Sequence, residues 1–170
     1  FCRLMDDIAD EPNVPDPQGQ LLFWREEIAR VYEGNPQTPL GQSLTGLVKD
    51  FDIPSDRFLL LIDGMEADLQ GRRYATFKDL EWYLYRVAVV VGLATLDILG
   101  LKGEKAQTLS LALGAAVQTT NIVRDVREDA LAGRVYLPAD MLAEEGLTFQ
   151  DVLENTKPQQ MAGVLAKMAG

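Results

Sequence analysis

The sequence predicts an all-α protein, and three observations predict it. Apolar residues recur at three- and four-residue spacing through most of the chain, the pattern of helices with one buried face. Prolines, glycines and cap residues divide that pattern into blocks of helical length. Sustained period-two alternation, the mark of a half-buried strand, is missing apart from a few residues at Val135-Tyr136-Leu137. The 170 residues, 47% hydrophobic and 25% charged, suit one domain over 1–170 with a sizeable core.

Residues 1–10 carry apolar and polar positions at helical spacing and are stopped by Pro12, Pro15 and Pro17. Leu21 to Glu33 is amphipathic through Leu21, Leu22, Trp24, Ile28, Val31 and Tyr32, and ends at Gly34 and Pro36. Leu40 to Asp50 is a shorter helix, broken at Asp52-Ile53-Pro54. Ser55 or Asp56 caps the next, which runs to about Gln70 with Gly71 after it. Thr76 and Asp79 have capping-box spacing and open a helix predicted to run unbroken to Leu99. It is apolar nearly all round from Val87 to Leu96, which places it in the middle of a bundle. The same segment, Val87 to Leu101, is about 15 residues long and contains Asp97, so it reads as a core helix rather than a membrane span. A long helix follows from about Glu104 to Leu131. Pro138 opens a short one that Gly146 stops, Thr148 caps another, and the last segment is helical.

Composition excludes several chemistries. With one cysteine, Cys2, and no histidine there is no intrachain disulfide framework, no Cys/His zinc site and no Ser-His-Asp or Cys-His pair. A net charge of -10 argues against nonspecific nucleic-acid binding. It is compatible with an anionic substrate, because a divalent cation reverses the local sign of a carboxylate site.

Two acidic clusters carry the chemistry. In Asp6-Asp7-Ile8-Ala9-Asp10, Asp6 and Asp10 lie one helical turn apart and point the same way, with Asp7 beside them. Crowded carboxylates repel one another, and a cation between them removes the conflict. In the second cluster Gly114, Gln118, Asn121, Asp125 and Asp129, spaced 4, 3, 4 and 4, form one polar stripe on an otherwise small or apolar helix. Two such aspartate pairs facing each other across a bundle suit Mg2+, which takes oxygen ligands, keeps several waters and combines one or two carboxylates with substrate phosphates. Arg3, Arg124, Arg127 and Arg134 are placed to grip diphosphate oxygens through the planar guanidinium fork.

These motifs resemble those of the squalene/phytoene synthase family. Phe1-Cys2-Arg3-Leu4-Met5-Asp6-Asp7-Ile8-Ala9-Asp10-Glu11 is similar to its first aspartate-rich motif. Gln118 to Asp129, continuing through Gly133-Arg134-Val135-Tyr136-Leu137-Pro138, is similar to the second. Leu61 to Leu69 and Tyr83 to Gly92 match between them, so that the resemblance covers roughly residues 1–150. The chain departs from the family at Leu84 and at Val89. There a branched side chain replaces the usual glycine, where a helix neighbour or the substrate passes closely.

The resemblance implies an isoprenoid-synthase-type helical bundle, of which this chain is an N- and C-terminally truncated piece covering most of the central part. It implies a prenyl transferase that joins two prenyl diphosphates head to head through an allylic carbocation. Two farnesyl diphosphates would give presqualene diphosphate or squalene; geranylgeranyl diphosphate, giving phytoene, is the alternative. Mg2+ is the implied cofactor, on Asp6, Asp10, Asp125 and Asp129, with Asp7 and Glu128 in support and Asn121 and Gln118 near the metals. Arg3, Arg124 and Arg134 would contact diphosphate. Tyr83 is a candidate pocket tyrosine, with core packing its other reading. No nucleic-acid partner is expected, and the implied setting is cytoplasmic, with room for peripheral association with the inner face of a membrane. A catalytically silent binding or assembly member is the alternative of another class. The charges of Asp63-Gly64-Met65-Glu66-Ala67-Asp68 read as those of a surface helix, Arg72-Arg73-Tyr74 as a solvated loop, and Trp24 and Tyr32 as packing residues.

Overall fold

The computed structural model describes residues 1–169, whose regular structure is entirely helical, with no strand among them. The helices are α1 (Cys2–Asp10), α2 (Pro17–Glu33), α3 (Pro39–Phe51), α4 (Asp56–Leu69), α5 (Phe77–Leu84), α6 (Val90–Ile98), α7 (Glu104–Leu131), α8 (Ala139–Glu144), α9 (Phe149–Glu154) and α10 (Pro158–Ala169). A π-helical turn, Tyr85–Val89, joins α5 to α6.

Local chemistry sets most boundaries. The α2 helix starts earlier than its apolar pattern suggests because Pro17 and Pro39 each occupy a first-turn position, where a missing N–H costs nothing. Asp16 and Thr38 cap these two helices on the N–H groups of Gly19 (3.1 Å) and Gly41 (2.9 Å). Both predicted threonine caps form complete capping boxes, Thr76 with Asp79 and Thr148 with Asp151. Ser55, by contrast, makes no side-chain cap, and Asp56 serves α4 as an acidic first-turn residue. The segment Val135-Tyr136-Leu137 is no strand. It is irregular and buried, and the residues just after it are held by the hydrogen bonds Ala139 N–H to Tyr74 O and Asp140 N–H to Ala75 O.

Two hydrophobic cores result. One gathers α1 to α4 with Val90; the other gathers α5, the 135–137 segment and the helices from α7 to α10, and Val87 packs against both. The predicted helix from Thr76 to Leu99 does occupy the middle, between α4 and α7, but it is not one regular α-helix. In an α-helix Tyr83, Val87 and Val91 would drift by about 80° over two steps of four residues. The wider π turn takes up that drift, and all three face the same cleft. Val89 points the other way, onto α7. A Cβ at Gly114 would lie 3.0 Å from the Val89 backbone, so the residue that departs from the family pattern is received by a glycine of α7. Ser110 of α7 secures the same contact by donating to the Val89 carbonyl at 2.8 Å. Farther along, α7 leaves Leu109, Leu113 and Val117 exposed. No described helix is long and apolar enough to cross a membrane.

Gly114→Ala is expected to destabilise the fold by about 1–3 kcal/mol, because the new methyl meets backbone that cannot swing aside. Gly46→Ala, in an exposed part of α3 with nothing near its Cβ, should stabilise it by about 0.5–1 kcal/mol. Urea denaturation of the two variants measures both, and equal shifts would deny the close α7 contact.

Candidate active site

The seam between the two cores opens as a cleft of about 670 Å³. From α1 it receives Cys2, Arg3, Asp6 and Asp10. From α7 it receives Gln118, Asn121, Ile122, Arg124, Asp125 and Asp129. Leu61, Met65 and Asp68 of α4 form one wall, Tyr83, Val87 and Val91 another, and Arg134 and Tyr136 enter from the segment after α7. The cleft is thus acidic and cationic toward α1 and the C-terminal half of α7, and apolar along α4 and the π turn.

Each wall is positioned by helical periodicity. Asp6 and Asp10 share a face of α1 because the opposite face, Met5, Ile8 and Ala9, is buried in the first core. On α7 the predicted stripe divides: Gln118, Asn121, Asp125 and Asp129 line the cleft, while Gly114 belongs to the contact with Val89. Asn121 donates to Gln118 at 3.3 Å, which leaves both amides facing the cleft.

Guanidinium groups meet most of the carboxylates. Arg3 pairs with Asp6 (3.2 Å) and Asp7 (2.8 Å) along α1. Arg124 forms a two-pronged pair with Asp125, at 2.6 and 2.5 Å, which holds the Asp125 carboxyl below its usual range. Arg134 crosses the cleft mouth to hold Asp10 and donates to the Ala9 carbonyl at 2.8 Å. Burial pushes Asp129 up to about 6, with Arg134 opposing and the nearby charges of Asp125, Asp10 and Glu128 adding to it. Burial, then Asp10, likewise raises Asp6.

Asp7 and Glu128 do not line the cleft; Asp7 is taken up by Arg3, and Glu128 is exposed, as is Arg127. Among the described residues no group of three or more metal-ligating side chains converges. The carboxylates instead stand as pairs on two walls. All-oxygen donors, two of them with raised proton affinity, fit a hard cation such as Mg2+ completed by ligand and water oxygens rather than a closed protein cage.

The surface-helix expectation for Asp63 to Asp68 holds only at its edge, where Asp63 and Glu66 pair with Arg25 at 2.8 and 2.9 Å. Gly64, Met65, Ala67 and Asp68 are buried, because the small residues let α4 approach the π turn closely. Asp68 Oδ2 accepts a hydrogen bond from Tyr83 (2.9 Å) and Oδ1 one from Tyr136 (2.7 Å). Tyr83 therefore both packs and lines the cleft. Nor is Arg72-Arg73-Tyr74 simply solvated: Tyr74 is buried, Arg72 lies over the Trp82 ring, and Arg73 binds the Gly133 carbonyl at 2.9 Å. Asp68 and Tyr136 were missed as site residues. The signal for Asp68 was the Leu61, Met65, Asp68 spacing, one inward helical stripe with small residues beside it.

The fold superposes on a squalene synthase, HpnC, from Alicyclobacillus acidocaldarius with a TM-score of 0.88 at 29% identity, covering 99% of this chain and 65% of that one. An all-helical bundle of this arrangement is an isoprenoid-synthase fold. Phytoene synthase 1, chloroplastic, of Solanum lycopersicum is 42% identical over 159 residues, 89% of this chain and 39% of that protein. Phytoene synthase of Rhodobacter capsulatus is 35% identical over 160 residues, 93% of this chain and 47% of that protein. The squalene/phytoene synthase family model matches residues 1–170, and the chain belongs to that family. It spans less than half the length of these two curated relatives.

Burial raises the Asp68 carboxyl from its ordinary 3.8 to about 6, against the hydrogen bonds of Tyr136 and Tyr83 and the charge of Arg134. The folded state then binds this proton more tightly than the unfolded chain. Asp68 therefore favours the fold most below 3.8, and that contribution, on the order of 2–3 kcal/mol, is withdrawn as pH rises through about 6. Urea denaturation at stepped pH should show a smaller fall in stability across this window for Asp68→Asn than for the wild type. Parallel curves would remove Asp68 from the titrating groups.

Proposed function

We propose that the protein carrying this chain condenses two prenyl diphosphates head to head, and that residues 1–170 form, as a single domain, most of the central part of its catalytic bundle. The observation that carries this reading is the cleft itself. Aspartates from two helices and three arginines stand at one side, and Leu61, Met65, Val87, Val91 and Ile122 supply apolar wall. A diphosphate matches the first region and a hydrocarbon tail the second.

Asp6, Asp10, Asp125 and Asp129 would hold Mg2+, with Asp7 supporting through Arg3, Glu128 supporting from outside the cleft, and Asn121 adding an amide oxygen. When bound, that metal supplies positive charge to the diphosphate leaving group. Arg3, Arg124 and Arg134 bind the diphosphate oxygens directly, exchanging their present carboxylate partners for phosphate. Gln118 orients the bound diphosphate. Charge concentrated on the departing group favours cleavage of the allylic C–O bond. The apolar walls keep water from the resulting cation until the double bond of the second prenyl chain attacks it. Loss of a proton then closes a cyclopropane.

Two prenyl lengths follow from the family. The TM-score of 0.88 to a squalene synthase supports farnesyl diphosphate. Identities of 42% and 35% to phytoene synthases, against 29% to that squalene synthase, support geranylgeranyl diphosphate.

The intact protein, given both diphosphates in equal amounts with Mg2+, is expected to consume one of them, with the extracted lipid identifying which. Consumption of neither would sink the transferase reading, and retained diphosphate binding without turnover would favour the silent binding member. Asp125→Asn should lower turnover on the order of 100-fold with its melting temperature unchanged, because Asp125 touches Arg124 and no core residue by hydrogen bond. Unaltered turnover and Mg2+ dependence would remove Asp125 from the site.

A further inference from the structure

Asp68 has no part in the diphosphate chemistry, yet it is the cleft's most deeply buried carboxylate, 9% exposed. It lies on the α4 wall beside the apolar Leu61 and Met65. Its two oxygens accept the hydroxyl protons of Tyr83 and Tyr136. The two rings stack with centroids 4.9 Å apart, and the Tyr74 ring packs beside Tyr83 at 5.8 Å. Each phenol that donates to Asp68 keeps its oxygen lone pairs for whatever else reaches it. Both phenols line the cleft together with Asp68, and their hydroxyls occupy the two oxygens that the carboxylate would otherwise present bare to the cavity.

That arrangement matters to a carbocation. A bare carboxylate in contact with an allylic cation would capture it as an ester, whereas a phenol oxygen backed by a carboxylate removes a proton without presenting the anion itself. We propose that Asp68 is the final proton acceptor of the condensation, reached through the hydroxyl of Tyr136. The inference rests on the head-to-head reading above. In the closing step a C–H bond breaks on the former allylic C1 of the donor, which is separated from the tertiary cation by one ring carbon, and its electron pair forms the third cyclopropane bond to the cationic carbon. The proton passes to Tyr136 Oη, the proton already on Oη passes to Asp68 Oδ1, and the cation and carboxylate become a neutral hydrocarbon centre and a neutral acid.

Tyr136 is favoured over Tyr83 as the relay on three grounds. Its hydrogen bond is shorter, 2.7 against 2.9 Å, and it is the more exposed of the two, 8% against 3%. It also follows Arg134 by two residues, at the diphosphate side of the cleft. Tyr83 holds the second oxygen and thereby orients the carboxylate. Burial, which makes Asp68 a better proton acceptor than an exposed aspartate, acts in the same direction.

The test uses the intact protein in single-turnover reactions with Mg2+ and whichever of farnesyl or geranylgeranyl diphosphate the wild type consumes. Released diphosphate and extracted lipid are measured separately. Asp68→Asn and Tyr136→Phe should each leave diphosphate release within ~3-fold of wild type while cyclopropane formation falls about 100-fold, with a condensed tertiary alcohol from water capture in its place. Asp68→Glu should restore part of the cyclopropane product. Tyr136→Phe keeps the ring and its stacking, so it carries the test even where Asp68→Asn melts early. Normal cyclopropane formation by Tyr136→Phe would hand the proton to another base, such as the released diphosphate, and overturn the inference. So would a fall in diphosphate release in parallel with product, which would place the pair in the ionisation step. A wild type that consumes neither diphosphate overturns the head-to-head reading and this inference with it; a working wild type beside normal variants overturns this inference alone.

Discussion

Four aspartates look into one cleft, and the mutual repulsion of those charges is the constraint around which the rest of the structure is arranged. Like charges on facing helices force the walls apart unless cations stand between them. Three guanidinium groups offset that charge here, Arg3 and Arg124 within their own helices and Arg134 across the cleft, and they are not equivalent. Arg3 is 78% exposed, so its pairs on α1 add little to stability, whereas Arg134 is 18% exposed and ties Asp10 and the Ala9 carbonyl to the segment after α7. A contact between residues 124 positions apart in sequence thereby holds the first and second acidic motifs across one opening. Asp129, which forms no ion pair among the described residues, has its proton affinity raised chiefly by burial and further by the charges of Asp125, Asp10 and Glu128.

The cleft lies where it does because two hydrophobic cores meet without merging. Val87 packs against both, and the π turn around it aims Tyr83, Val87 and Val91 at the cavity while Val89 faces Gly114. A branched residue in place of the family's glycine is accommodated on the α7 side and does not narrow the cleft. The same turn packs on α4, and Tyr83, two residues before it, reaches Asp68. The apolar wall of the cleft therefore contains one buried carboxylate with both oxygens hydrogen-bonded to tyrosines, set apart from the four aspartates of α1 and α7.

Much of this was legible in one dimension. The caps at Thr76 and Thr148 act on residues three positions away, and the stripes on α1 and α7 follow from helical spacing alone. Asp6, Asp10, Asp125 and Asp129 could thus be assigned to two faces before any packing was known. Three readings failed for a common reason. The π turn, the burial of Asp68 and the burial of Tyr74 each depend on how closely α4, α5 and the 135–137 segment approach one another, and no local periodicity records that distance.

The sequence by itself determined the all-α class, the order of the helices, the exclusion of histidine from any site, and the pairs of carboxylates that share a face. Helix periodicity and donor type are properties of neighbours along the chain. Only the tertiary structure decided that the acidic motifs line the same cleft, that Asp7 and Glu128 stay outside its lining, and that Asp68 meets two tyrosines 15 and 68 residues away. Those outcomes depend on which hydrophobic faces pack together, and packing is settled by the whole set of helices at once.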